Sequence, residues 1–390
     1  MYFMIGRSEA EFIQEIRKDI IIRLNHMNHQ PLHVGDSIVG MDFHLEQLKS
    51  LIKTELDEVH MVGICGTGGI GKTTISMAIY NDISSQFDGS SFLGNIGRKG
   101  NIVRKGEGYL LKLQKTLLRD ILKFKRRDDE PKFSNISEGI NVIKEKLRLK
   151  RVLIVLDDVD NCMQLENLAG KHGWYGAKSI IIITTTDKHL LKRHEVNVVY
   201  EVQKLNHEKS AELFNWRAFK QNTPKIGFES LSNSVVKYAD GLPIALKVLG
   251  GLLYTESIDE WTSELHKLGK EPPQTVQSVL KVSYDKLDHT WQEIFLDIAC
   301  FFRGKDKDFV SRILGSNAMM GIKVLNDRCL LTISENRLDM HDLVQQMGRE
   351  IVRQECLKEP GNRSRLWDHN DVDSVLTRNT VRAKCILFKK

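Results

Sequence analysis

The sequence predicts an α/β fold of the P-loop NTPase type, with a five-stranded parallel sheet followed by a helical region. Three observations lead to this prediction. A glycine-rich segment at 66–73 follows a short apolar strand and precedes a helical pattern. Further apolar segments alternate with helical patterns up to residue 205, which is typical of a parallel sheet covered by helices. From Asn206 onward strand patterns become rare and helical patterns follow one another.

The glycine-rich segment has the composition of a phosphate-binding loop. Residues 59–65 form an apolar run that predicts a buried strand, and Ile75, Ala78 and Ile79 lie on one face of the helix that follows. The pattern G-x-x-x-x-G-K-[ST] is satisfied at every fixed position. The expected phosphate-binding residues are Gly66, Gly68, Gly69, Ile70, Gly71, Lys72, Thr73 and Thr74.

These residue types suit the chemistry of a nucleotide's phosphates. Glycines let backbone N–H groups turn toward the phosphates without a clash of Cβ atoms, and the helix start adds unpaired N–H groups and a positive dipole end. Lys72 supplies a positive charge for the β- and γ-phosphates, and the Thr73 hydroxyl can bind Mg²⁺. A glycine-rich turn that binds nothing is the alternative, but the flanking strand and helix favour the phosphate loop.

An acidic pair follows the third strand pattern. Residues 152–156 are continuously apolar, which is typical of a strand buried on both faces, and Asp157 and Asp158 come directly after them. Asp157 is the candidate ligand of Mg²⁺, and Asp158 is the candidate catalytic group that orients or activates an attacking water. A core strand that ends in a turn is the alternative, and the phosphate loop earlier in the chain argues against it.

The remaining elements of the first half follow from their apolar patterns. Helices are expected at 8–24 and around Leu48, Leu117 and Ile143. The other strands of the sheet are expected at 92–96, 179–184 and 198–202.

The second half is predicted to be mainly helical. One helix begins at Gly241-Leu242-Pro243, with proline in the first turn, where its missing N–H costs least. A small hairpin is expected from 330–333 and 337–340, with Glu335 and Asn336 at its turn. A further helix is expected around Met347.

Composition excludes several classes of protein. A length of 390 residues suggests two or three domains, and a net charge of +6 is too small to indicate direct nucleic-acid binding. The six cysteines form no C-x-x-C pair, so neither a disulfide framework nor a zinc site is indicated. No apolar run approaches the roughly 18 residues of a membrane span. We therefore expect a cytoplasmic protein, with a nucleocytoplasmic distribution as a variant of that expectation.

Taken together, these segments resemble the NB-ARC region of plant TIR-NB-LRR disease resistance proteins, which are P-loop ATPases of the STAND class. The resemblance extends from about residue 8 to residue 380. The matching segments are the phosphate loop GTGGIGKTT, KRVLIVLDDVD at 150–160, GAKSIIIITTTDKHLL at 176–191, GLPIALKVLG at 241–250, FLDIACFF at 295–302 and Met340-His341-Asp342.

The resemblance implies a domain organisation and a strand order. It places the strand at 179–184 between the phosphate-loop strand and the strand that ends at Asp157. The implied domains are a linker helix and N-terminal remnant at 1–36, a P-loop nucleotide-binding domain at 37–205, a helical ARC subdomain at 206–283, a winged-helix ARC subdomain at 284–366 and a tail at 367–390.

The resemblance also implies roles for four residues outside the phosphate loop. Val39 and Gly40 would lie against the adenine, and Pro243 would pack on it from the helical subdomain. His341 would contact the β-phosphate of ADP from the winged-helix subdomain. The implied ligands are ADP or ATP with Mg²⁺.

Thr67 stands where the family form of the phosphate loop has methionine, and two further features depart from the family pattern. Thr186 occupies the position where the family usually has an arginine, and a threonine cannot place a positive charge near a γ-phosphate. Lys188 is an alternative cation for that role. The sequence is also expected to lack a TIR domain, and hence a TIR NADase activity, and to lack leucine-rich repeats.

The function that this resemblance implies is a molecular switch of plant innate immune signalling, with an ADP-bound closed state and an ATP-bound open state. Enzymatic activity would be at most a slow ATPase. The expected partners are the nucleotide and, in the ATP state, a second copy of the chain or full-length receptors. Two alternatives remain open: an NTPase whose turnover is its function, and a truncated nucleotide-binding fragment that modulates full-length receptors.

Overall fold

The computed structural model describes most of the chain. The described residues are 31–34, 39–52, 57–97, 107–124, 126, 130–268, 273–378 and 386–387. The predicted helix at 8–24 lies outside them. By its internal packing the chain divides into two compact units. The first comprises Met1–Cys65, Lys72–Thr185 and Leu190–Glu201, and the second comprises Gly66–Gly71, Thr186–His189 and Val202–Lys390.

A five-stranded parallel sheet forms the centre of the first unit. Its strands are β1 (His60–Cys65), β2 (Gly89–Leu93), β3 (Val152–Leu156), β4 (Ile180–Thr185) and β5 (Val198–Glu201). Their order across the sheet is β2-β3-β4-β1-β5, and every neighbouring pair is parallel. The predicted fold class is confirmed, and β4 lies between β1 and β3 as the family resemblance implied.

Helices precede and connect these strands. They are α1 (Met41–Leu51), α2 (Lys72–Ile83), α3 (Glu107–Leu122), α4 (Ile136–Leu147), α5 (Cys162–Leu168) and α6 (Lys188–Arg193). The start of α4 is fixed by Asn135, whose side chain accepts a hydrogen bond from the Glu138 N–H. The start of α5 is fixed by a capping box between Asn161 and Gln164. The helices expected around Leu48, Leu117 and Ile143 are therefore confirmed.

The second strand was predicted wrongly at 92–96. It begins earlier, at Gly89, and ends at Leu93. The chain leaves the sheet there because Asn95 adopts a left-handed conformation, with φ 56°. The serines at 90 and 91 concealed this strand in the apolar pattern. Ser91 is buried and donates a hydrogen bond to the Asp120 carboxylate at 2.7 Å, which offsets the cost of burying its hydroxyl.

The second unit is mainly helical. It contains α7 (His207–Phe219), α8 (Glu229–Ala239), α9 (Pro243–Leu252), α10 (Ile258–Leu268), α11 (Gln274–Asp285), α12 (His289–Asp297), a π-helix (Ile298–Phe302), α13 (Lys307–Leu314), α14 (Ala318–Asp327), α15 (Asp342–Glu355) and α16 (His369–Thr377). Pro243 is at the first position of α9, as the sequence predicted. Within the described residues, no helix combines the length and apolarity that a membrane crossing requires.

Short strands complete the second unit. Strands β6 (Thr332–Ser334) and β7 (Arg337–Asp339) pair antiparallel, which confirms the predicted hairpin. Glu335 and Asn336 both have positive φ, 48° and 61°, as a tight two-residue hairpin turn requires. Strands β8 (Arg365–Leu366) and β9 (Ile386–Leu387) pair in parallel.

A buried ion network holds part of the second unit together. The Arg365 guanidinium, 2% exposed, donates from Nε to Asp297 Oδ1 at 2.6 Å and from Nη2 to Glu293 Oε2 at 2.9 Å. Burial raises the pKa of Asp297, and Arg365 opposes this shift. Removing one partner of such a network leaves an uncompensated buried charge.

We expect Arg365→Met to destabilise the second unit by about 3–5 kcal/mol at neutral pH, because Asp297 then stays buried without its cation. Thermal unfolding of the variant measures the loss. Without the arginine, the pKa of Asp297 in the folded state rises further above its pKa in the unfolded state. The destabilisation therefore applies at pH values above the pKa of the unfolded state. The deficit should therefore shrink as the pH falls and the carboxyl takes up a proton.

The matched control for this prediction is Arg378→Met, which removes an exposed arginine from the same unit. Surface changes of this kind are usually worth less than about 0.5 kcal/mol. Equal stability of Arg365→Met and Arg378→Met would show that the buried network has no net structural role.

Candidate nucleotide-binding site

The end of β3 orients a buried carboxylate in the first unit. Asp157 is 0% exposed, and its Oδ1 accepts hydrogen bonds from the Thr73 and Thr184 hydroxyls, each at 2.8 Å. The Asn95 N–H approaches Oδ2 at 3.3 Å. The structure thus brings Thr73 and Asp157 together. These two residues were the predicted metal ligands.

Thr184 was missed in the sequence, although it is central to this arrangement. Its hydroxyl donates to Asp157 and also accepts the Asp158 N–H at 2.8 Å. A single side chain on β4 therefore orients both aspartates at the end of β3. The sequence signal for this role was a threonine near the end of an otherwise apolar strand. A carboxylate next to it would need such a donor if both were buried.

Asp158 has an unusual backbone conformation. Its φ is 59°, in the left-handed region, which costs a residue with a side chain roughly 1–2 kcal/mol. The conformation is supported by hydrogen bonds on both sides of the residue. The Asp158 N–H donates to the Thr184 hydroxyl, and the Asp158 carbonyl accepts the Gly97 N–H at 2.8 Å. The strand therefore ends sharply at the acidic pair.

The phosphate loop, Gly66–Gly71, packs within the second unit. The Ile244 N–H, in the first turn of α9, donates to the Gly69 carbonyl at 3.2 Å. The first N–H groups of a helix have no partner inside the helix, so the loop carbonyl satisfies one of them. Gly69 has φ +78°, and a Cβ at this position would meet Ile244 Cγ2 at 2.3 Å. Only glycine fits this contact without a shift of the neighbouring chain.

Two other parts of the second unit contact the same loop. A Cβ at Gly68 would lie 3.1 Å from the Val279 carbonyl oxygen, so α11 passes close to the loop. The Thr67 hydroxyl donates to the Cys329 carbonyl at 3.0 Å. The loop therefore contacts both the helical part and the winged-helix part of this unit. The sequence pattern predicted the loop itself and not these contacts.

The residues at the end of the loop fit a Mg²⁺-bound nucleotide. A Cβ built on Gly71, which has φ +106°, would meet no atom within 4 Å, so this side of the backbone is open. Lys72, the first residue of α2, is 8% exposed, and Thr73 and Thr74 follow in the first turn. The hydroxyl and carboxylate oxygens of Thr73 and Asp157 are the kind of ligand that Mg²⁺ prefers.

The segment after β4 also belongs to the second unit, as Thr186–His189. Asp187 is buried, its Oδ1 accepts the His189 N–H at 2.9 Å, and its Oδ2 lies 3.2 Å from the Arg328 guanidinium. Thr186 and Lys188 are both partly exposed. An arginine of the winged-helix part thus pairs with Asp187, the residue that follows Thr186.

The residues implied to contact adenine lie at two helix starts. Gly40 precedes α1 with φ 72°, and Val39 next to it is half-buried in the first unit. Pro243 begins α9 in the second unit, one residue before Ile244. Their role toward a base stays a prediction.

His341 binds the protein through both ring nitrogens. Nδ1 accepts the Leu343 N–H at 3.2 Å, so the ring caps the N-terminus of α15. With Nδ1 as an acceptor, Nε2 carries the proton and donates to the Asp240 carbonyl at 3.0 Å. Burial lowers the pKa of His341, and the nearby Asp240 carboxylate opposes this shift. A role of this ring toward the β-phosphate stays a prediction.

Comparisons with known proteins agree with this geometry. The NB-ARC domain family matches residues 42–224. The winged-helix domain of Roq1-like disease resistance proteins matches residues 288–356.

Curated plant proteins are similar over nearly the whole chain. Disease resistance protein RUN1 of Vitis rotundifolia is 47% identical over 372 residues, which is 95% of this chain and 27% of that protein. Disease resistance protein RPV1 of the same species is 46% identical, and the match covers 96% of this chain and 26% of that protein. TMV resistance protein N of Nicotiana glutinosa is 40% identical, and the match covers 96% of this chain and 32% of that protein. The chain spans about a quarter to a third of the length of these relatives.

These matches cover the candidate residues described above. The phosphate loop, Asp157 and Asp158 all fall within 42–224. Arg328, Cys329 and His341 all fall within 288–356. The chain therefore contains an NB-ARC domain at 42–224 and a Roq1-like winged-helix domain at 288–356.

Proposed function

We propose that this chain is a nucleotide-dependent switch of plant disease resistance, in which bound ADP holds the closed state and ATP favours an open state. The observation that carries the proposal is the packing of the phosphate loop. Ile244 and Cys329 contact this loop within one unit, from its helical and winged-helix parts. A ligand bound at the loop would therefore affect the helical and winged-helix parts, whose rearrangement would produce the open state.

The chemistry of the loop supports binding of a nucleoside diphosphate. Lys72 would form charge-assisted hydrogen bonds to phosphate oxygens in a nearly buried position. The N–H groups at the start of α2 add to this field. Mg²⁺, held by Thr73 and by Asp157 through water, would neutralise phosphate charge when bound.

A switch requires that the two nucleotides favour different arrangements of the protein. A ligand shifts an equilibrium only by its difference in affinity for the two states. Contacts between the loop and the second unit are the means by which such a difference could arise. If the γ-phosphate weakened them, ATP would favour the open state. A swing from 1:99 to 99:1 would need a difference of about 10⁴-fold in affinity.

Slow turnover is consistent with this role. Thr186 places no cation where the family usually has arginine, so stabilisation of a γ-phosphate from that position is missing. Asp158 is the candidate group for orienting water, and its carbonyl and N–H are both engaged. We propose that hydrolysis, if measured, is slow and resets the switch.

The relatives support a role in defence. Three of them are named as disease resistance or virus resistance proteins, and each aligns with more than nine-tenths of this chain. We propose that the ATP-bound state associates with a second copy or with full-length receptors. Size-exclusion chromatography with ADP and with ATP tests this association.

Lys72→Ala should remove most affinity for ADP and ATP. The substitution deletes charge-assisted hydrogen bonds that together contribute at least about 1.5–3 kcal/mol. The affinity for either nucleotide should therefore fall at least about tenfold. The measurement is the nucleotide content of the purified protein, together with titration of fluorescent ADP. The matched control is Lys112→Ala, an exposed lysine on α3. If the Lys72 variant retained its full nucleotide content, the assignment of the phosphate loop would be wrong.

His341→Asn should accelerate ADP release. Asparagine keeps an N-cap acceptor for α15 but does not reproduce the contact between Nε2 and the Asp240 carbonyl. Loss of one neutral hydrogen bond, about 0.5–1.5 kcal/mol, predicts a two- to tenfold faster release of a fluorescent ADP analogue.

The size of the His341 effect separates two roles. A direct bond from the ring to a phosphate, at about 1.5–3 kcal/mol, would instead give a ten- to hundredfold effect. Thermal unfolding checks that the variant is folded. A folded variant with the release rate of the wild type would refute a role for His341 in retaining ADP.

A further inference from the structure

The turn after α14 contacts both loops that border the nucleotide site, all within the second unit. Arg328 ends this helix, and its guanidinium lies 3.2 Å from Asp187 in the segment after β4. The next residue, Cys329, accepts the Thr67 hydroxyl through its carbonyl at 3.0 Å. We call these two consecutive residues the 328–329 turn.

The two contacts differ in strength and kind. The side chains of Arg328 and Asp187 are 25% and 7% exposed, so their ion pair is largely removed from water. Breaking such a pair costs more than breaking an exposed one, because the remaining charge stays buried. The contact from Thr67 is a neutral hydrogen bond to a backbone carbonyl, which contributes less.

The backbone of the turn is specified by local geometry. Cys329 has φ 55°, and the Leu330 N–H donates to the Leu325 carbonyl at 3.0 Å, which is the pattern of a Schellman helix end. A left-handed residue with a side chain is strained, and surrounding contacts must maintain it. Here the conformation at Cys329 accompanies the contact of its carbonyl with the phosphate loop.

Both contacts involve positions at or beside the departures from the family pattern. Thr67 stands where the family form of the loop has methionine, and methionine has no hydroxyl to donate. Asp187 directly follows Thr186, which stands where the family usually has arginine. The phosphate loop of this chain thus has an additional hydrogen-bond donor, the Thr67 hydroxyl. Arg328 of the winged-helix domain pairs with the 186–189 segment, which contains no arginine.

We propose that the 328–329 turn is a positioning element that holds the phosphate loop and the Thr186–His189 segment in the ADP-retaining arrangement. Thr67 and Arg328 are its two positioning residues. Nucleotide exchange requires release of both contacts, so the turn sets the rate of exchange. This inference rests on the proposed switch function.

The test compares pairs of variants at each contact. Thr67→Val removes the hydroxyl with little change of shape, whereas Thr67→Ser keeps it. Arg328→Gln removes the charge, whereas Arg328→Lys keeps it. Arg378→Gln is the matched control, since this arginine is exposed in the same unit.

Two readouts are needed. The first is the release rate of a fluorescent ADP analogue from each folded protein. We expect it to rise about threefold in Thr67→Val and about tenfold in Arg328→Gln, in keeping with a neutral and a charged hydrogen bond. The ADP release rates of Thr67→Ser and Arg328→Lys should be closer to the wild-type rate than those of Thr67→Val and Arg328→Gln. Arg378→Gln should release ADP at the wild-type rate.

The second readout is hydrogen exchange of peptides covering 66–74 and 186–189, measured without nucleotide. Exchange in both peptides should be faster in Arg328→Gln than in the wild type, because one turn holds both segments. This measurement does not depend on the proposed function. If the wild type bound no nucleotide, the switch would fail, while altered exchange would still support the positioning role.

Two outcomes would overturn the inference. One is an unchanged ADP release rate in both Thr67→Val and Arg328→Gln, with thermal unfolding showing that they are folded. The other is faster exchange in Arg328→Gln that is confined to 186–189, because the turn would then not act on the phosphate loop.

Discussion

The hydrogen bond from the Ile244 N–H to the Gly69 carbonyl is the contact on which the rest of the arrangement depends. It joins the first turn of α9, whose first N–H groups have no partner inside the helix, to the predicted phosphate-binding loop. Gly69 is restricted by this contact, since a Cβ there would meet Ile244 at 2.3 Å. Contacts inside the second unit thus restrict the conformation of the phosphate loop.

The proposed switch assigns nucleotide binding and nucleotide retention to different residues. In the proposed function, Lys72 and the pair Thr73 and Asp157, which belong to the first unit, would bind the nucleotide and its Mg²⁺. Retention would depend on contacts inside the second unit, among them those of Thr67 and His341. Under this proposal, substitutions at different residues would change nucleotide affinity and exchange rate separately. Such a separation would distinguish a switch from an NTPase whose turnover is its function.

Much of the fold could be predicted because its signals are local. The strands at β1, β3 and β4 are continuous apolar runs, and the phosphate loop has fixed spacing. The start of β2 could not be read from apolarity, because Ser91 is buried and satisfied by Asp120. The partners of the loop could not be predicted either. Thr67 and Cys329 are 262 residues apart, and no local pattern records such a contact.

The most direct measurement of the central claim is ADP affinity in Gly69→Ala, alone and combined with Ile244→Ala. If the packing of α9 shapes the loop, the single variant loses most of its affinity, because the added Cβ collides with Ile244. The double variant then recovers part of it, since the strain of a positive φ at an alanine remains. Gly108→Ala, an exposed helical position with open space around it, is the control. Wild-type affinity in a folded Gly69→Ala protein would contradict the account.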